Sequence, residues 1–297
     1  MTDPLTGAAP ARLALTDPSD LVATAHAMAD AARAAILPHF RTATLVADDK
    51  GVGRFDPVTL ADRAAEAAMR AVLANRRPDD AILGEEEDYR PGTSGLTWVI
   101  DPIDGTRGFI SGTASWGVLV ALCDAAGPIY GLIDQPYIGE RFEGGFGRSH
   151  VTGPMGRAPL IARATADLGA ATLFTTFPEI GTAAERAGFE AVRDRVKLTR
   201  YGMDCYAYAL VAAGQVDLVI EAGLASYDIA APIAVIEAAG GVVTDWQGRP
   251  VHRGGACAGR GQPFDPCRSA CDPQDHPRRL THRSWQRFAP PHRRALA

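Results

Sequence analysis

The chain has 297 residues, 46% hydrophobic and 22% charged, with a net charge of −5. This is ordinary for a globular protein of one large or two smaller domains, and no basic surplus points to nucleic acid or an anionic membrane. No apolar run is long enough to span a bilayer, no basic-then-apolar leader opens the chain, and the five Cys suggest no disulfide framework, so a cytoplasmic location is expected.

Residues 1–16 read as a flexible leader. Asp17-Pro-Ser-Asp20 signals a helix start, and Leu21 to Leu37 carries apolar residues at helical spacing. Asp48 to Gly53 reads as a turn or mobile loop. Thr59-Leu-Ala-Asp62 fits a capping box, with a helix to about Asn75. Ala81 to Leu83 and Leu96 to Ile100 are short apolar runs expected as buried strands. Trp116 to Cys123 and Pro128 to Ile133 are further strands around the turn residues Asp124 to Gly127, and Arg141 to Phe146 extends that meander.

Gly153-Pro-Met-Gly156 with Pro159 is the best internal boundary. Beyond it the pattern alternates. Ala171 to Phe177, Val216 to Glu221 and Gly241 to Asp245 read as strands; Thr182 to Val196, Asp204 to Ala213 and Tyr227 to Ala239 read as helices. The half 17–152 is therefore α+β and the half 153–251 is α/β.

The chemistry concentrates in Trp98-Val-Ile-Asp101-Pro-Ile103-Asp104-Gly105-Thr106-Arg107-Gly108, preceded by Gly84-Glu85-Glu86-Glu87. If the first strand ends at Asp101, the Asp101 and Asp104 carboxylates share one cavity, with the Ile103 carbonyl between them and Glu85 alongside. Hard oxygen donors of this kind suit Mg2+, and Gly105 lets backbone N–H groups approach a phosphate. The plain alternative is that both Asp residues only shape a turn. On the residues alone Asp62 is better explained as the acid of a capping box than as a catalytic group, and Asp228 is explained as a helix cap. Glu86 and Glu87 read as solvated or supporting acids, and Lys50 as a solvated or site-approaching lysine.

These motifs, followed by Tyr227-Asp228-Ile-Ala-Ala231 and Gly240-Gly241, resemble the inositol monophosphatase family, within the superfamily that contains fructose-1,6-bisphosphatase. The resemblance covers about residues 20–251. It implies a layered α-β-α-β-α sandwich and a homodimer. It also implies two or three Mg2+ per site held by Glu85, Asp101, Asp104, Asp228 and the Ile103 carbonyl, with Asp62 and Thr106 activating water for in-line displacement and no phosphoenzyme.

Four segments look closer to the bacterial histidinol-phosphatases of that family. They are Asp104 to Gly112, Gly131-Leu-Ile-Asp-Gln135-Pro, Arg200 to Tyr208, and Val219-Ile-Glu221-Ala-Gly-Leu224. Histidinol phosphate carries an ammonium and an imidazole, both of which favour carboxylate neighbours. Asp204 and Glu221 are the candidates for its organic part, with Gly105, Thr106, Arg107 and Asp228 completing the substrate contacts. Asp204 has a helix cap as its plain alternative, and Arg107 a surface ion pair or a subunit contact. One Glu also serves a polyol, so inositol 1-phosphate or a related ester stays open. So does a non-catalytic relative with a damaged C-terminus.

From His252 to residue 297 the chain turns rich in Cys, His, Arg and Pro, and the family register dissolves after Pro250. A one-nucleotide frameshift near Gly254–Gly255 is one explanation. A Cys/His metal tail using Cys267, Cys271 and His276 is another.

Overall fold

The computed structural model describes residues 17–43, 47–49, 57–179, 181–252 and 254–260. The leader, Lys50, and the tail beyond residue 260 with Cys267, Cys271 and His276 lie outside them. Helix α1, Pro18–Ile36, begins where the Asp17 side chain accepts the Ser19 N–H at 2.8 Å and Pro18 presets the first turn. Its stripe Leu21, Ala25, Met28, Ala32 and Ile36 is fully buried. Helix α2, Leu60–Arg76, packs against it and buries Ala61, Ala65, Met69 and Leu73.

Both helices cover one face of a seven-stranded sheet. Its strands are β3 (Ala81–Gly84), β4 (Thr97–Asp104), β5 (Gly117–Asp124), β6 (Gly127–Gln135), β7 (Glu140–Gly145), β8 (Arg148–Gly153) and β9 (Gly156–Pro159), paired in that order. Only β3 and β4 run parallel; the rest form an antiparallel meander. The sheet therefore continues past Gly153 to Pro159, through the segment whose Gly and Pro residues mark a boundary in the sequence.

The other sheet face is covered by α5, Asp204–Ala212, and α6, Ser226–Ala238. Consecutive residues of β5 serve opposite cores: Leu119 and Ala121 meet α6, while Val118, Val120 and Leu122 meet α1 and α2. That two-sided cover explains the unbroken apolar run in an antiparallel strand. Helix α6 is apolar all round because a second, five-stranded sheet closes its far side. That sheet contains β10 (Thr172–Thr175), β11 (Leu198–Tyr201), β12 (Leu218–Leu224), β13 (Val242–Asp245) and β14 (Gly255–Arg260), in the order β11-β10-β12-β14-β13. On its outer face, α4 (Ala183–Arg193) packs Phe189 into a small cluster with Leu173, Leu218 and Ile220. The layers are thus α-β-α-β-α, as expected. No described helix is long and apolar enough to cross a membrane.

Two local expectations are corrected and two elements appear that the sequence pattern does not mark. Ala47–Asp49 is a strand, β1, paired antiparallel with β2, Pro57–Thr59; its acidic composition hides a ladder that needs only backbone groups. Strand β11 also went unmarked, because Leu198–Tyr201 is largely exposed and has no apolar alternation. A short helix, α3 (Thr106–Ile110), follows directly on the acidic motif. Finally, register does not dissolve after Pro250. The chain turns at Gly254 (φ 85°) and β14 inserts between β12 and β13, pairing Cys257 with both Glu221 and Asp245. Gly-Ala-Cys-Ala-Gly carries little strand propensity, but a central slot with partners on both sides overrides it.

Candidate active site

The acidic motif lies where β4 leaves its ladder with β5. Asp101 pairs with Leu119 and Asp104 with Gly117, so three steps on β4 match two on β5. In a regular strand, residues three apart face opposite sides. The extra residue of this bulge puts Asp101 and Asp104 on the same side. The shared cavity expected of them is present, but the cause differs: the strand does not stop at Asp101. It continues to Asp104 through a bulge at Pro102-Ile103. Asp101 is buried and accepts the Ile103 N–H at 3.0 Å; Asp104 accepts the Cys205 N–H at 2.7 Å.

Helix α6 brings the third carboxylate. Asp228, in its first turn, accepts the Ala225 N–H at 2.7 Å. Carboxylate oxygens of Asp101, Asp104 and Asp228 lie within 4.8 Å of one another. Parallel pairing matches Gly84 with Ile100, so Glu85 and Asp101 are the next residues in register. Burial, then the charges of Glu85, Asp104, Asp228 and Asp62, hold the Asp101 carboxyl well above the usual carboxylate range. Asp104 is pushed the same way by burial and then by Asp228 and Asp204. Crowded acids of this kind are relieved by protons or by a bound cation. The donors are hard oxygens at a buried strand end, which fits Mg2+.

Asp62 is fully buried in the first turn of α2. Its carboxylate accepts the Thr59 N–H at 2.8 Å and the Thr59 hydroxyl at 2.6 Å, while the Ala61 N–H donates to Thr59 Oγ1 at 3.1 Å. The capping box is therefore real, and it fixes the acid near Asp101. Thr106 opens α3 after Gly105, whose φ of 87° is left-handed, and donates its hydroxyl to the Ile103 carbonyl at 3.2 Å.

Glu85, Asp101, Asp104, Thr106 and Asp228 line a cavity of ≈ 620 Å³ that also takes in Arg107, Asp204, Glu221, Phe177 and Tyr208. Glu221 is buried on β12, one residue before its last buried position, Ala222. It accepts the Thr176 N–H at 2.5 Å and lies 3.5 Å from the Thr175 hydroxyl. Burial, opposed by the Thr176 hydrogen bonds and aided by the Asp204 charge, pushes it up to about 7. Asp204, at a left-handed φ of 44°, accepts the Ser115 hydroxyl at 2.5 Å and packs over Gly105 and Gly108. Its carboxyl is raised by burial, with Ser115 and Arg107 opposing.

The structure thus brings Asp101, Ile103, Asp104, Gly105, Thr106, Arg107, Asp204, Glu221, Asp228 and Glu85 to one cavity, with Asp62 behind Asp101. Two residues that the sequence pattern did not single out are Ser115, which holds Asp204, and Glu66, which holds the Glu85 turn. Glu66 had a legible signal. It shares the buried stripe of α2 with Ala61, Ala65 and Met69, and an acid on an apolar helix face needs a partner.

The sequence profile described as inositol monophosphatase family matches residues 17–276. The chain is 41% identical over 242 residues to the bifunctional phosphatase IMPL2, chloroplastic, of Arabidopsis thaliana, covering 81% of this chain and 68% of that protein. It is 34% identical to a histidinol-phosphatase of Streptomyces coelicolor, covering 84% of this chain and 96% of that one. Among solved structures, an inositol monophosphatase from Zymomonas mobilis superposes with a TM-score of 0.73 at 39% identity, covering 83% of this chain and 94% of that chain.

Proposed function

This chain belongs to the inositol monophosphatase family, and from that premise we propose that it is a Mg2+-dependent phosphatase acting on histidinol phosphate. The observation that carries the substrate reading is one cavity with two acidic sets. Asp101, Asp104, Asp228 and Glu85 supply hard oxygen donors, and Asp204 and Glu221 border the same space. A phosphate ester suits the first set once cations are present. An ammonium or imidazolium suits the second. The Streptomyces coelicolor relative, named a histidinol-phosphatase and matched over 96% of its length, supports the same substrate.

Bound Mg2+ polarises the phosphate and makes water a stronger acid; Glu85, Asp101, Asp104, Asp228 and the Ile103 carbonyl are the assigned donors. Thr106 donates its hydroxyl hydrogen bond to the Ile103 carbonyl, which leaves its oxygen lone pairs as acceptors for a water proton. Asp62, anchored by Thr59, supplies negative charge behind that position and assists proton removal. Backbone N–H groups after Gly105, with Arg107 at the rim, receive the phosphate oxygens. Glu221 and Asp204 orient the leaving alcohol.

Inositol 1-phosphate is the second reading. It is favoured by the Zymomonas mobilis inositol monophosphatase, whose chain is matched over 94% of its length, and Glu221 serves hydroxyl groups as well. A non-catalytic role is disfavoured by the complete carboxylate set. Phosphate release from histidinol phosphate and inositol 1-phosphate, measured side by side with Mg2+ and then EDTA, tests the proposal. Mg2+-dependent release preferring histidinol phosphate is expected. Preference for inositol 1-phosphate keeps the metal site and overturns the substrate.

A further inference from the structure

A metal-holding side chain is placed only as well as the backbone beneath it. Asp101 sits on a strand and Asp228 on a helix, but Glu85 follows the end of β3 at Gly84, and residues 85–87 are bends. Amide groups in such a turn need partners from elsewhere. Helix α2 provides them. Glu66 is fully buried, and its carboxylate accepts the Glu86 N–H at 2.8 Å and the Glu87 N–H at 3.1 Å.

Arg70, one helical turn on, completes the clamp. Its Nε donates to Glu66 at 2.8 Å, and its Nη2 donates to the carbonyls of Glu87 at 2.9 Å and Asp88 at 3.2 Å. The turn is therefore held through its N–H groups by one side chain and through its carbonyls by the next. Gly84 fits this closeness, since a Cβ there would lie 2.1 Å from Glu66 Oε1.

We propose that Glu66, clamped by Arg70, is a positioning residue for the metal centre, fixing the 85–87 turn so that Glu85 stands beside Asp101 before any cation binds. The proposal rests on the reading of Glu85 as a metal carboxylate. Glu66 is not among the residues lining the cavity. It acts by removing the ordering cost that a mobile turn would impose on metal binding.

The test is Mg2+ titration of the full-length, EDTA-stripped protein by calorimetry, with the metal-free melting temperature recorded for each variant. Glu66→Gln places an NH2 against a backbone N–H and should weaken Mg2+ binding by about 10- to 100-fold. Arg70→Lys loses the fork and should weaken it in the same direction by less. Glu85→Gln should weaken it at least as much as Glu66→Gln. Leu73→Ala, in the core of the same helix, should lower the melting temperature and leave Mg2+ affinity unchanged; a merely structural Glu66 would behave as Leu73 does.

Wild-type affinity in Glu66→Gln and Arg70→Lys, with Glu85→Gln impaired, overturns the positioning role and leaves the metal reading standing. Wild-type affinity in Glu85→Gln overturns the metal reading of Glu85 and this proposal with it. If Glu66→Gln does not fold, Arg70→Lys decides on the same criterion.

Discussion

Gly105 is the position where backbone geometry and the site are most tightly joined. Its φ is 87°, and an added Cβ would come within 2.6 Å of Asp204 Cβ and Cγ. Gly105→Ala therefore incurs two penalties. The left-handed backbone costs a residue with a Cβ about 1–2 kcal/mol, and forcing a methyl into packed atoms costs about 1–3 kcal/mol. Asp204 has little room to yield, being at a left-handed φ of 44° and bound to Ser115. The sum is about 2–5 kcal/mol, or a fall in melting temperature of roughly 3–8 °C for a chain of this size. Thermal unfolding of the EDTA-treated protein measures it without interference from bound cations. Asp204→Gly in the Gly105→Ala background should recover about 1–3 kcal/mol of the loss through non-additivity, because the overlap partner is gone. A Gly105→Ala protein melting within a degree of the parent, or two substitutions whose effects simply add, would refute the close-approach argument.

Other outcomes follow from the same geometry. Glu143, on β7, is buried; burial alone would raise its carboxyl, but hydrogen bonds from His26 and Tyr130 and the charges of His150 and His26 bring it down to about 2. A depressed carboxyl contributes stability that is fully present above about pH 4.5 and lost as pH falls towards 2, so the unfolding free energy from denaturant titration should drop by about 2–3 kcal/mol over that window and much less in Glu143→Gln. Glu221 is raised to about 7, so it is ionised only above that pH. KM for histidinol phosphate, relative to Glu221→Gln, should improve as pH rises through about 7, and no such difference should appear for inositol 1-phosphate if the group recognises a cation. Thr59→Val removes the hydroxyl that meets Asp62 and should cost about 1–2 kcal/mol on chemical denaturation, with kcat falling more than KM because Asp62 loses its anchor.

Most helices and the meander strands are legible because amphipathic stripes and unbroken apolar runs report burial directly; the layer order came only with the family resemblance. α2 and α6 show the two extremes: a striped helix on one sheet face and an apolar helix between two sheets. β1 and β11 were not legible, since edge strands are held by backbone bonds that leave no side-chain pattern. β14 was hidden for a related reason: a central slot accepts a Gly- and Ala-rich segment. In the site, Asp101 and Asp104 are marked by spacing and neighbours, whereas Asp228, a plain helix cap on its own residues, is marked only by the family resemblance. The bulge that turns Asp101 and Asp104 to one side is not marked, because it depends on pairing with β5. Glu66 is legible as an acid on an apolar helix stripe, but its partner 20 residues on is not, and Ser115 meets Asp204 89 residues away, beyond any local motif.

The most direct test of the account is Mg2+ binding and phosphate release measured together on wild type and Asp101→Asn. Asp101 lies at the centre of the acidic cluster, and its replacement by a neutral isostere also relieves charge repulsion, so folding should be preserved or improved. The account predicts a folded Asp101→Asn protein with Mg2+ binding weakened and phosphate release lost. A folded Asp101→Asn protein that binds Mg2+ and releases phosphate as wild type does would contradict it.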